Sequence, residues 1–449
     1  MKIKVKDKSF DEVMNMPAFK NKRPEPQGGF WRWLLKTASK KDLKKVDFSL
    51  NKRDLAGLDD KEPVLFLMNH SSFIDLEIAS TVIYPRPFHI VCTLDGFVGK
   101  EWLMRKIGCI PTRKFMADTA LVRDMIHTAK DLKESILLYP EASYTFDGTA
   151  TPLPDSLGKA VKLLGIPVVM IRTYGAFLRD PLYNNLQLRN VKVTADMDVV
   201  LSKEDIESKS VREINEIIGE RFSFDNFRWQ KELGVKVTEP FRADSLERVL
   251  YKCPCCGRED SMKGKGTKLT CSNCGKEYEL TELGEMQALE GETEFSHIPD
   301  WYRWERESVR KEIEAGTYNM ESAVDIIALV NTDAVYRIGE GVLRHTVEGF
   351  SLKGCDGKLV FTLSPEESYS LYADYFWYEL GDIVSIGTPK IQYYCFPKTS
   401  GNAAGKDAVG GDAAGAEIAT GSDAAGFNVA KARLAAEELY KYKRRKSNV

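Results

Sequence analysis

No run of apolar residues in this sequence is long enough to cross a bilayer as a helix. The first ten residues are charged and lack the apolar stretch of a secretory signal. An excess of charge is missing too: 64 Lys and Arg stand against 66 Asp and Glu, a formal net charge of −2. That balance argues against a chain whose bulk neutralises nucleic-acid phosphates. Internal repeats are absent, and so is the composition of a disordered or collagen-like chain. Histidine is scarce, with five in 449 residues. What is present is an ordinary globular balance, 43% apolar and 29% charged. The length predicts roughly three domains. Together these features predict a cytoplasmic protein.

Charge and cysteine are unevenly spread. Residues 19–53 carry eleven Lys or Arg and only three Asp or Glu. Within them lies Phe30-Trp31-Arg32-Trp33-Leu34-Leu35. Rings flanked by cations suit the boundary between water and lipid. Residues 1–52 are therefore expected to face a membrane surface, with the protein held peripherally on its inner face. The plainer alternative is a solvated basic segment whose rings pack on the next domain. Of the nine cysteines, five fall within 22 residues, Cys253, Cys255, Cys256, Cys271 and Cys274. In a reducing compartment such a cluster points to metal rather than disulfides.

Between residues 63 and 201, short apolar runs alternate with helical periodicity. Val64-Leu65-Phe66-Leu67-Met68 has the continuous apolar character of a buried strand, as do 89–93, 135–139 and 166–171. Leu121, Val122, Met125, Ile126, Ala129 and Leu132 recur at helical spacing. This alternation predicts an α/β domain with a mainly parallel sheet over 53–245. Residues 203–222 are expected as one closing helix. Further on, 301–315 has the pattern of a charged amphipathic helix. Short β-rich segments follow at 334–338, 341–347, 358–363, 369–377, 383–386 and 391–396. Residues 400–426 have the composition of a flexible Ala/Gly-rich loop, and 430–446 that of a terminal helix.

The first apolar strand runs directly into Asn69-His70-Ser71-Ser72-Phe73-Ile74-Asp75. Strand ends that open into helices are where α/β folds place ligands. At this spacing an Asp can turn back onto the His ring, fix its tautomer and leave the other nitrogen as a base. The competing reading is a helix-capping turn with a buried histidine. Three more stretches follow: Gly108-Cys109-Ile110-Pro111-Thr112-Arg113-Lys114, Tyr139-Pro140-Glu141-Ala142-Ser143-Tyr144 and Gly165-Ile166-Pro167-Val168-Val169. In this order the four blocks resemble those of the glycerolipid acyltransferases, the family of bacterial 1-acylglycerol-3-phosphate acyltransferases.

The resemblance implies transfer of a fatty acyl group from a thioester, acyl-CoA or acyl carrier protein, to a lysophospholipid or glycerolipid hydroxyl in phospholipid biosynthesis. It implies His70 as general base and Asp75 as its orienting partner. Arg113, Lys114, Glu141 and Ser143 would bind substrate. The third block departs from the family pattern, because Ala142 stands in place of Gly and Tyr144 in place of Arg. Losing a bidentate cation there leaves an acceptor without phosphate open. His89, His127, His297 and His345 lack comparable context and are expected to be structural or surface residues.

The cysteines form two Cys-x-x-Cys pairs, Cys253 with Cys256 and Cys271 with Cys274, each followed by glycine and separated by fourteen residues. Four thiolates at this spacing match a zinc ribbon, a closed structural Zn2+ site over 246–285. Cys255 is off the spacing. A ribbon also admits an interaction protein with a degenerate acyltransferase domain. The glutamates between 277 and 294 disfavour nucleic acid. The order expected is thus membrane-facing segment, acyltransferase domain, zinc ribbon, and a β-rich accessory domain over 286–449.

Overall fold

The computed structural model describes residues 2–53, 55, 58–59, 61–116, 118–398 and 427–447. The stretch expected as an Ala/Gly-rich loop, 400–426, lies outside the described residues.

Three sheets organise the chain. The first has seven strands in the order Ser49–Arg53, Thr194–Leu201, Val168–Tyr174, Leu65–Met68, Ser135–Leu138, Phe88–Thr93, Cys109–Thr112. Leu65–Met68 sits at its centre and pairs in parallel on both sides. Its alternation explains the unbroken apolar run. Leu65 and Leu67 enter the core on one face, and Phe66 and Met68 enter the core on the other.

The sheet is mixed rather than purely parallel. Thr194–Leu201 runs antiparallel to Val168–Tyr174, and Ser49–Arg53 follows it in parallel. The reason lies in the connection. Residues 175–193 hold only the short turns Ala176–Arg179 and Leu182–Asn184. Without a helix long enough to recross the sheet, the chain returns beside the strand it has just left. The closing helix is also divided. Ser210 caps a new helix, Val211–Arg221, just beyond Lys203–Ser208.

The second sheet is four-stranded and antiparallel: Met262–Lys265, Lys268–Cys271, Glu277–Leu280 and Met286–Ala288. The third runs Leu359–Leu363, Gly349–Gly354, Val335–Thr346, Asn319–Leu329, Gln392–Pro397, Gly381–Gly387, Tyr372–Trp377. All its pairs along this path are antiparallel. Helix Ile298–Glu314 enters this region, and Val429–Ser447 packs along it. Arg306 with Glu437 at 2.7 Å and Arg310 with Glu438 at 2.9 Å tie the two helices.

The basic N-terminal stretch is not one unit. Val5–Asp7 adds in parallel to Val335–Thr346 of the third sheet. Helix Gly29–Lys45 instead packs on helix Asp75–Val82 beside the first sheet. The segment expected as a zinc ribbon does not stand apart either. One apolar cluster joins Phe146 and Phe177 of the α/β region, Leu269 and Tyr278 of the second sheet, and Ala430 and Leu434 of the last helix. Tyr278 meets the buried Trp301 edge to face, with ring centroids 5.0 Å apart.

Candidate functional site

His70 follows the central strand at its carboxyl end, and Asp75 opens the helix beyond. The turn brings Asp75 Oδ2 to 3.1 Å from His70 Nδ1. The same oxygen accepts the backbone N–H groups of Ser71 at 2.7 Å and Ser72 at 3.0 Å. One carboxylate thus holds both the backbone of the turn and the histidine ring, while the helix, with Ile74 at its N-cap, has no side-chain cap, so the capping alternative is not what the turn forms. Asp75 is fully buried, while 18% of the His70 side chain reaches solvent. Asn69 anchors the turn to the neighbouring strand. Its amide donates to Thr173 O at 3.0 Å, and its oxygen accepts Thr173 N–H at 2.7 Å.

Two aromatic rings hold the imidazole. Tyr139 stacks on one side at 4.1 Å and Tyr144 on the other at 3.9 Å, between ring centroids. Burial pushes His70 below its ordinary pKa. The Asp75 carboxylate opposes that shift, and the Lys114 ammonium adds to it. The ring is therefore neutral at neutral pH.

The other residues singled out in the sequence surround this turn. Glu141 is buried and engaged within the chain. Its Oε2 accepts His70 N–H at 3.0 Å, and its Oε1 accepts Thr151 N–H at 2.8 Å. Burial pushes its carboxyl up to about 7, against these hydrogen bonds. Ser143 is buried, and its hydroxyl donates to Tyr144 O at 3.3 Å. Ala142 takes φ +54°, the left-handed region where glycine is unstrained. Lys114 Nζ lies 4.1 Å from the centroid of the Tyr372 ring. Arg113 is half-buried, and its Nε is buried without a hydrogen-bond partner. The remaining histidines are partnered elsewhere. His89 meets Glu134 at 2.7 Å, His127 meets Asp131 at 2.7 Å, His297 meets Asp225 at 3.1 Å, and His345 meets Tyr318 at 2.8 Å.

Sequence reasoning missed the contribution of the third sheet and the last helix. Tyr372 and Asp374 come from the strand Tyr372–Trp377, and Arg433 from Val429–Ser447. Arg433 donates to Tyr144 O at 2.9 Å and stands over the Phe146 ring at 4.6 Å. These residues lie some 230 to 300 positions beyond the motifs they meet, and no local pattern links them. The exposed aromatic face also has a member not foreseen. Trp102, 66% exposed, packs edge to face on Trp31 at 5.8 Å, beside Phe30 and Trp33, 60% and 52% exposed.

The second sheet presents the cysteines. Cys253, Cys256, Cys271 and Cys274 place their sulfurs within 4.8 Å of one another. Cys253 to Cys274 and Cys256 to Cys271 are each 3.8 Å. A tetrahedron with zinc–sulfur bonds of about 2.3 Å requires sulfurs about 3.8 Å apart, so the four fit that ion. Gly257 and Gly275 close the two knuckles at φ +71° and +76°. Their N–H groups donate to Cys253 O and Cys271 O at 2.8 and 2.9 Å.

Comparison with known proteins bears on the first sheet. Residues 49–173, a little over a quarter of the chain, match the family model Acyltransferase. No curated protein matches the chain. Among solved structures, the chain is similar to the 1-acyl-sn-glycerophosphate (LPA) acyltransferase PlsC from Thermotoga maritima. Identity is 16%, coverage is 42% of this chain and 78% of that one, and the TM-score is 0.34. The chain thus contains an acyltransferase-type α/β region joined to a β-rich C-terminal region, and the family match supports acyltransferase activity.

Proposed function

We propose that this protein is a peripheral membrane acyltransferase. It moves a fatty acyl group from a thioester, acyl-CoA or acyl carrier protein, to a hydroxyl of a lysophospholipid or related glycerolipid, in lipid biosynthesis. The observation that carries this reading is the 3.1 Å approach of Asp75 Oδ2 to His70 Nδ1 at the end of the central strand. The family match over 49–173 spans both residues and supports it.

Asp75 accepts a hydrogen bond from Nδ1–H, so the lone pair sits on Nε2. The neutral imidazole takes the acceptor's hydroxyl proton as that oxygen attacks the thioester carbonyl. The tetrahedral intermediate then expels the thiolate, which takes from the imidazolium beside Asp75 the proton that the hydroxyl gave up. No acyl-enzyme forms. Glu141 and Asn69 position the His70 backbone. Lys114 and Arg113 are the cations available to an anionic acceptor.

Phe30 and Trp33, among the lysines of 19–53, with Trp102 packed on Trp31 beside them, support docking on an anionic inner-leaflet surface. Cys253, Cys256, Cys271 and Cys274 would hold one structural Zn2+, which closes the ribbon and takes no part in the chemistry. The packing of Tyr278 on Trp301 favours a structural ribbon over a docking module.

The test is incubation of the purified protein with labelled acyl-CoA or acyl carrier protein thioester and a set of lysolipids. A diacyl product identified by mass spectrometry supports the reading, and none with either donor rejects it.

A further inference from the structure

Where the first and third sheets meet, beside His70, a charged cluster is buried that the proposed chemistry leaves unused. Asp95, from the turn Leu94–Phe97, is 1% exposed, and Asp374, from the strand Tyr372–Trp377, is 8% exposed. Asp95 Oδ2 accepts from Tyr372 OH at 3.0 Å and Trp377 Nε1 at 3.1 Å, which locks the two sheets. Asp95 Oδ1 and Asp374 Oδ1 are each buried without a hydrogen-bond partner. Thr93 Oγ1 and Arg113 Nε are in the same condition. Natural proteins seldom leave such atoms unpaired, because each gives up its hydrogen bonds to water without a replacement.

Lys114 connects this cluster to His70. Its ammonium lies under the field of both Asp374 and Asp95, and it in turn depresses the His70 imidazole. Its Nζ stands 4.1 Å over the Tyr372 ring, whose hydroxyl donates to Asp95, so the ammonium adjoins the cluster directly.

We propose that Asp374 and Asp95 receive the hydroxyl groups of the acceptor's polar head, so that this site selects a polyhydroxylated head group over a phosphate monoester. This rests on the acyl-transfer reading of His70 and names its acceptor. A phosphate monoester carries up to two negative charges at neutral pH and offers the carboxylates no good donor. Asp95 sets its charge against it, joined by Asp374 as that buried carboxyl, pushed up to about 7, ionises, and position 144 supplies a tyrosine rather than a cation. A polyol donates to both free oxygens, while Lys114 can still meet a single phosphodiester charge. The C-terminal sheet is then part of the acceptor site rather than an appendage.

The test uses full-length protein and three lysolipids of one chain length, with phosphate monoester, phosphoglycerol and phosphocholine heads. Binding is measured to His70→Ala, which needs no turnover, and acyl transfer is measured with wild type. The phosphoglycerol lipid should bind about tenfold or more tighter than the other two, the scale of a hydrogen bond to a charged group. Asp374→Leu in the same background should erase that preference, and Asp374→Asn, which keeps one acceptor oxygen, should retain part of it. If Asp374→Leu does not fold, the head-group preference itself and its reduction in Asp374→Asn decide. Equal binding of the three, stronger binding of the phosphate monoester, no binding of any, or a preference untouched by both variants overturns the proposal. Selective binding by His70→Ala with no transfer by wild type keeps this head-group site and rejects the acyl-transfer reading instead.

Discussion

The Tyr144 ring lies 3.9 Å from the His70 imidazole, centroid to centroid, at an interplanar angle of 27°. Tyr139 covers the opposite side at 4.1 Å and 26°. The imidazole is therefore clamped between two phenols, with its edge rather than its faces left to a substrate. The clamp fixes the ring and removes water from it, and burial is the largest cause of its lowered pKa. Removing one phenol readmits water. Tyr144→Ala should raise the His70 pKa toward the ordinary 6.5, followed as an imidazole titration by NMR. The rising limb of the pH–rate profile should move to higher pH with it. An unchanged titration would mean that the stack does not set the ring's basicity.

Stability should depend on pH through Asp374. Burial lifts its carboxyl from an ordinary 3.8 to about 7, against the pull of Lys114. Between those values the native state binds more protons than the unfolded chain, so stability falls as pH rises through that window. The contribution is complete below the unfolded value. Asp374→Asn has no proton to lose and should flatten the decline in Tm between pH 4 and 7. A parallel decline in the variant would assign the slope to other groups.

Elemental analysis should find one zinc per chain. Cys271→Ser should lose it, and Cys255→Ser should keep it, because Cys255 is exposed and outside the four-sulfur set. The ribbon shares its apolar cluster with the C-terminal sheet, so chelation should loosen both and expose both to protease. The strands around His70 have separate cores on each face of the first sheet and should persist. Equal zinc loss from the two variants would contradict this ligand set.

Anionic vesicles should sediment the wild-type protein. Replacing Trp33 and Trp102 by Ser removes two exposed rings from one face, and binding should drop several-fold. Raising the salt should weaken what remains, since each basic residue near the surface adds roughly 1 kcal/mol of attraction that salt screens. Equal sedimentation of variant and wild type would remove this face from the account.

Much of the architecture was legible in local pattern. The buried strands 65–68 and 135–138 announced themselves as unbroken apolar runs, and the Asn69–Asp75 turn followed from its position after one of them. The cysteine spacing indicated the knuckles because two short turns fix four sulfurs locally. What escaped depends on distant chain. The strand Asn319–Leu329 carries Glu321, Ser322 and Asp325 among its apolar residues, which hid its periodicity. The pattern gives 334–338 and 341–347 as two segments because Gly339 and Glu340 break it, yet both residues sit within one continuous strand, Val335–Thr346. Val5–Asp7 continues the short alternation Lys2-Ile3-Lys4-Val5-Lys6, which the charged N-terminus obscures, and is ordered by the strand it joins. At the site, the blocks named His70 and Asp75, but Tyr372, Asp374 and Arg433 reach them through tertiary packing that spacing does not encode. Glu141, expected to bind substrate, has both oxygens engaged by His70 and Thr151, a role set by the fold around it.

The most direct test of the central claim is the rate of acyl transfer from a thioester to a lysolipid, for wild type, His70→Ala and Asp75→Asn at equal folded concentration. The loss of general-base help predicts rates lower by roughly 10²–10⁴-fold in both variants, with unchanged circular dichroism. Near wild-type transfer by His70→Ala would contradict the account.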